Sequence, residues 1–156
     1  MTNSLPSGFG DSMIGTLDLL VEVCLLDNDS SAAQKWAGEA EALARVSHSI
    51  LRKIVALLCR ADAFESVEAA LQAIEIAKQH DLMLYLGRAH LLAGRFGDEP
   101  QVHLHAAFQI FEQLEAVPFK QKTAQHMRSR GIAAPRKIIE SDSGLKYVNL
   151  YNNLAD

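Results

Sequence analysis

Ala73-Ile74-Glu75-Ile76-Ala77 decides the fold, because the chain repeats it closely 33 residues earlier and 34 residues later. The counterparts are Ala40-Glu41-Ala42-Leu43-Ala44 and Ala107-Phe108-Gln109-Ile110-Phe111. A self-similar period of about 34 residues marks an array of helix-turn-helix repeats. One helix pair cannot bury its own apolar stripe, and stacking on its neighbours closes the core. The expected fold is all-α: a right-handed α-α superhelix of about three helix hairpins plus a C-terminal capping helix.

Apolar periodicity places the helices around this stretch. Leu17, Leu20, Val21, Cys24 and Leu25 form one stripe of a first helix over residues 11–26. Asp27-Asn28-Asp29-Ser30-Ser31 reads as a turn with an N-cap. Trp36, Ala40, Leu43 and Ala44 are the packing stripe of a second helix ending near Val46. Ser47-His48-Ser49 caps a third helix that reaches Ala61 and buries Ile50, Ile54, Leu57 and Leu58. After a turn at Asp62-Ala63-Phe64, a fourth helix over residues 65–79 packs through Val67, Ala70, Leu71, Ile74 and Ala77. A fifth covers residues 82–93, and Gly94-Arg95-Phe96-Gly97-Asp98 ends it with a left-handed glycine exit. Pro100 and Pro118 suit the first turns of a sixth and a seventh helix, where a missing N–H costs nothing. Gly131 stops the seventh. Three domain segments follow: a flexible arm over 1–10, a repeat domain over 11–131, and a loose tail over 132–156 with a short helix at 145–154.

The 156 residues suffice for one domain with a real core. Hydrophobic residues make up 49% and aromatics only 6%, so Ala and Leu carry the core, which favours close-packed helices over sheet. The net charge of −4 is unevenly placed. Residues 1–118 hold 16 acids against 8 bases, a balance of −8, and residues 119–156 hold 3 acids against 7 bases, a balance of +4. Cys24 and Cys59 sit in apolar helical runs and read as buried thiols of a reduced, cytoplasmic protein. No basic-plus-apolar leader opens the chain, whose first lysine is Lys35. No apolar run approaches the roughly 20 residues of a membrane span. Residues 13–26 come nearest, and Asp18 and Glu22 interrupt them.

The helical stretches resemble tetratricopeptide-type repeats. Leu86-Gly87-Arg88-Ala89 and Gly94-Arg95-Phe96 match the small-residue packing site and turn of a first helix, and Ala107-Phe108-Gln109-Ile110-Phe111 matches a second. The first pair is degenerate, and one residue is inserted near residues 97–99. A sharper likeness runs from Leu86 to Arg130. There, Ile110-Phe111-Glu112-Gln113-Leu114 followed by Pro118-Phe119 and a basic helix resembles the end of the helical-repeat region of large, ATP-dependent LuxR-type transcriptional regulators and related bacterial signalling proteins. The likeness covers about 45 residues well and roughly 60 more loosely. It implies a sensing or regulatory module beside an ATPase and a DNA-reading domain. Neither a Gly-x-x-x-x-Gly-Lys-Ser/Thr cradle nor room for a complete DNA-binding domain after Gly131 is present in this sequence.

Constellations that could do chemistry read better as structure. Gly8-Phe9-Gly10 with Gly15 has the wrong spacing for a nucleotide loop. His103 and His105 point about 200° apart on a helix and cannot share an ion. His80, His90 and His126 lack partners at i+3 or i+4. Ser47-His48-Ser49 near Asp62 has no oxyanion hole. The pairs Glu39/Glu41, Asp98/Glu99 and Glu65/Glu68 lie on polar faces, where neither carboxyl is desolvated into an acid. No catalytic residue, metal site or cofactor is expected.

The expected function is a non-catalytic module that binds a protein or peptide in a concave groove lined by the first helix of each pair. The alternative is a stand-alone structural adaptor or oligomerisation scaffold, a homo-oligomer. Groove candidates are Arg52, Tyr85 and Arg88. Lys120, Lys122, Arg128 and Arg130, with Arg136 and Lys137, form a stretch without acids that suits an acidic partner or a neighbouring domain. No aromatic interleaving supports base stacking, so nucleic acid is not an expected partner of this segment.

Overall fold

The computed structural model describes residues 7–135, 137–139 and 145–147. Seven helices follow one another: α1 (Ser7–Leu26), α2 (Ser30–Arg45), α3 (Ile50–Ala63), α4 (Val67–Gln79), α5 (Met83–Phe96), α6 (Pro100–Gln113) and α7 (Val117–Ser129). A two-stranded antiparallel ribbon comes after them, β1 (Lys137–Ile139) and β2 (Leu145–Tyr147). Leu145–Tyr147 are thus strand and not the start of a helix, and the rest of the expected tail helix lies outside the described residues. α1 begins at Ser7, so Ser7–Gly10 of the expected arm are its first turn.

Every connection between helices is three or four residues long, which forces neighbours to lie antiparallel. Each helix packs on the next, and α1 also packs on α3, α3 on α5 and α5 on α7. The odd helices therefore form one layer, and α2, α4 and α6 each wedge between two of them in the other. This is the packing of a helical repeat. Three helix spacings of about 8–10 Å would separate α1 from α7 in a flat layer. Yet Lys122 Nζ of α7 lies 3.6 Å from Glu22 Oε1 of α1. The odd layer must therefore curl inward until its two ends face each other.

Small residues make the close packing possible. The repeat-related Ala40, Ala73 and Ala107 are all fully buried, with Ala33, Ala37, Ala70, Ala77, Ala89 and Ala93 around them. Larger core side chains include Ile14, Val21, Ile54 and Leu58. A second cluster joins α5, α6 and α7 through Leu91, Leu104, Phe111 and Met127. Phe111 stacks on Phe119, ring centroids 5.1 Å apart, and lies against Gly87. Leu71, expected in the packing stripe of α4, is exposed, because the buried face of that helix runs through Ala69, Ala70, Ala73, Ile74 and Ala77.

The helix ends explain where the chain turns. Asp29, Ser49 and Ser66 each accept a hydrogen bond from the backbone N–H three residues on. Asn28, Glu65, Asp81, Glu115 and Gly131 adopt left-handed backbone two residues past a helix end. In each case the next residue donates its N–H to a carbonyl five residues back in the chain, such as Ser66 to Ala61 and Ala116 to Phe111. Gly97 is not such an exit: its φ is −93°, and α5 runs on through Gly94 to Phe96. Gly97 is needed for another reason, since a Cβ there would sit 2.6 Å from the Ala93 carbonyl oxygen.

Candidate functional site

The odd helices converge on one cleft of about 150 Å³. Its polar lining comes from all four: Asp18 and Glu22 on α1, Cys59 and Asp62 on α3, Arg88 and Arg95 on α5, Lys122 on α7, where Phe119 adds an aromatic wall. Three acids face three bases, and they pair. Arg88 reaches across α3 and donates two hydrogen bonds to Asp18, at 2.8 and 2.9 Å. Arg95 donates to Asp62 at 3.0 Å, and Lys122 approaches Glu22 at 3.6 Å.

The period that builds the fold also sets this pattern. Asp62 and Arg95 are 33 residues apart, so they occupy the same place on α3 and α5. Arg88 and Lys122 are 34 apart and share a place on α5 and α7. Asp18 and Glu22 lie one turn apart on α1 and receive one cation each. The guanidinium of Arg88 lies 6.0 Å from the Tyr85 ring and 5.9 Å from the Phe119 ring, at the outer limit of a cation–π contact. Cys59 directs its thiol toward Asp18, and burial first, then the Asp18 charge, push that thiol far above its ordinary pKa. It stays protonated and is no nucleophile.

The sequence-predicted residues fall into two groups. Arg88 and Lys122 line this cleft, with Tyr85 behind Arg88, while Arg52 sits further along the same layer, its Nε donating to Asp11 at 2.9 Å. The rest of the basic end is dispersed. Lys120 pairs with Glu112 and lies over the Phe108 ring, 5.8 Å from its centroid. Arg130 donates to the carbonyls of Arg95 and His126, and Arg128 is exposed. Arg136 and the side chain of Lys137 lie outside the described residues. The acids of the cleft were not expected as site residues. Their signal was present as the two charges, Asp18 and Glu22, that interrupt an otherwise apolar run.

A second polar contact also escaped the sequence. His90 on α5 and His103 on α6 bring their Nδ1 atoms within 2.9 Å, so one ring donates and the other accepts. Burial lowers the pKa of both, and His90, facing His103 and Lys78, is brought down to about 4. Among the described residues no cluster of three metal-binding side chains occurs, and no helix is long and apolar enough to cross a membrane. Comparison with protein-family models, curated proteins and solved structures found no match.

Proposed function

We propose that this chain is a non-catalytic helical-repeat module that binds a protein or peptide partner, and that it serves as the sensing or regulatory part of a larger regulator of the LuxR type. The observation that carries the binding role is the convergence of polar side chains from α1, α3, α5 and α7 on one cleft whose apolar wall includes the core residues Val21, Leu58, Leu91 and Leu92. A preformed wall lowers the ordering cost of binding. The volume of about 150 Å³ suits one or two side chains of a partner, since pockets that enclose a whole small molecule run from about 300 Å³ upward. The cleft is balanced in charge, so a bound segment exchanges one of its own charges for a resident one. The place in a regulator rests on the likeness of residues 86–130 alone.

The test is capture of partners from cell extract with the wild type and with Lys122→Glu, whose half-exposed position leaves the core intact. Loss of the wild-type partners in the variant, with unchanged circular dichroism, supports the cleft. Equal recovery by both rejects it.

A further inference from the structure

We propose that the outer stripe of α1 is the contact face of a symmetric dimer, in which α1 of a second copy packs antiparallel about Leu19. Leu19 also lines the cleft beside Asp18 and Glu22, and the experiments below read self-association rather than what the cleft binds.

Leu19, Val23 and Leu26 are 63%, 54% and 76% exposed and share one face of α1. They stand on the face where the other odd helices receive a preceding helix. α1 and α3 end 37 residues apart, and α3 and α5 end 33 apart, so Leu19 corresponds to Ala56 and Ala89. Both alanines are buried, and Ala56 lines the α2–α3 joint with Glu41 and Ala44. Alanine is what lets a neighbouring helix approach at the spacing of the array. A leucine at that place holds off such a neighbour and suits a helix with a hollow opposite it.

A second copy of α1 supplies that hollow. Four residues before Leu19 is Gly15, and four after is Val23; seven before is Ser12, and seven after is Leu26. Two antiparallel copies centred on Leu19 therefore set Val23 of each on Gly15 of the other, and Leu26 on Ser12. A side chain built at Gly15 would meet nothing within 4 Å, so the space is open. Charge fits the same pairing. α1 has no base, and its three acids are already held inside the chain: Asp11 by Arg52, Asp18 by Arg88 and Glu22 by Lys122. Two copies thus meet through a neutral stripe, and a strongly charged partner gains nothing there. Three exposed apolar side chains per copy offer well under the standard interface of about 800 Å² per partner, so the dimer is weak and depends on concentration.

The test uses the full chain with Cys24→Ser as background. Leu19→Cys should form a disulfide-linked dimer under mild oxidation. Ser12→Cys alone should not, yet Ser12→Cys mixed with Leu26→Cys should. In sedimentation equilibrium, Leu19→Glu should raise the dimer Kd by roughly tenfold or more, with helical content unchanged because the position is exposed. A monomer up to millimolar concentration overturns the proposal. So does a dimer indifferent to Leu19→Glu, or Ser12→Cys linking to itself as parallel helices would.

Discussion

Arg88 holds Asp18 through two hydrogen bonds, and the pair joins helices whose positions in the chain are 70 residues apart. Repeat arrays gain stability mainly from neighbouring units, each touching only the next. This contact departs from that rule, because it ties the first pair directly to the third. It ties α1 to α5 within the odd layer, and Glu22–Lys122, one turn along α1 and one repeat further on, joins the two ends, α1 and α7.

Removing half of that pair should therefore cost more than a surface ion pair does. Both side chains are 22% exposed. Fully buried pairs cost about 3–5 kcal/mol when one partner is lost, and exposed ones about 0–1 kcal/mol. Asp18→Ala is expected to lose about 2–3 kcal/mol in urea unfolding. Glu41→Ala, which frees the more exposed Arg60, should lose under about 1 kcal/mol. Equal losses would show that the long-range pair carries no special weight.

Among the described residues, four with side chains hold left-handed backbone, and two of them, Glu65 and Glu115, have no short polar group to favour it. Glycine at either place removes the steric cost while keeping the cap. Glu65→Gly and Glu115→Gly are each expected to raise stability by about 0.5–1 kcal/mol, with a smaller gain for Asn28→Gly, since asparagine tolerates this conformation. Thermal melts of the three variants test the order.

The repeat period was legible because Ala40, Ala73 and Ala107 answer to the same local demand, a helix pressed close on both sides. The turns at Glu65 and Glu115 were not, because tertiary packing sets them against the preference of the residue. The sequence makes Gly94 and Gly97 look like an exit from α5, whereas Gly94 is a packing residue inside the helix and Gly97 clears a carbonyl. Arg88 could be singled out as a polar residue of a first helix, and Lys122 as part of a basic stretch without acids. Their partners could not, since pairing across 70 and 100 residues depends on how tightly the layer curls, and no local pattern encodes curl.

Two classes of glycine should respond oppositely to alanine. A Cβ at Gly87 would lie 2.6 Å from the Phe111 ring, and one at Gly94 would lie 2.7 Å from Leu104 Cγ. Both neighbours are fully buried, so Gly87→Ala and Gly94→Ala are each expected to destabilise by about 1–3 kcal/mol. Gly38, inside α2, meets nothing within 4 Å. Gly38→Ala should instead gain about 0.5–1 kcal/mol from helix propensity. Urea midpoints of the three single variants give the signs directly.

Stability should fall on acidification through loss of neutral histidine. Burial first, then His103 and Lys78, lower His90 to about 4; burial, then Arg95, Arg130 and Lys122, lower His126 to about 4. The unfolded chain titrates near the ordinary value of about 6.5. Between pH 6.5 and 4 the unfolded state thus binds more protons than the folded one, so stability rises with pH across that window. The contribution is fully present above about pH 6.5 and is lost as pH falls toward 4. Both rings are partly open to solvent, which limits the combined loss between pH 7.5 and 5 to about 1–2 kcal/mol. His90→Gln should flatten part of this slope, because the amide keeps a hydrogen bond to His103 without gaining a charge. A slope unchanged in that variant would assign the acid sensitivity to other groups.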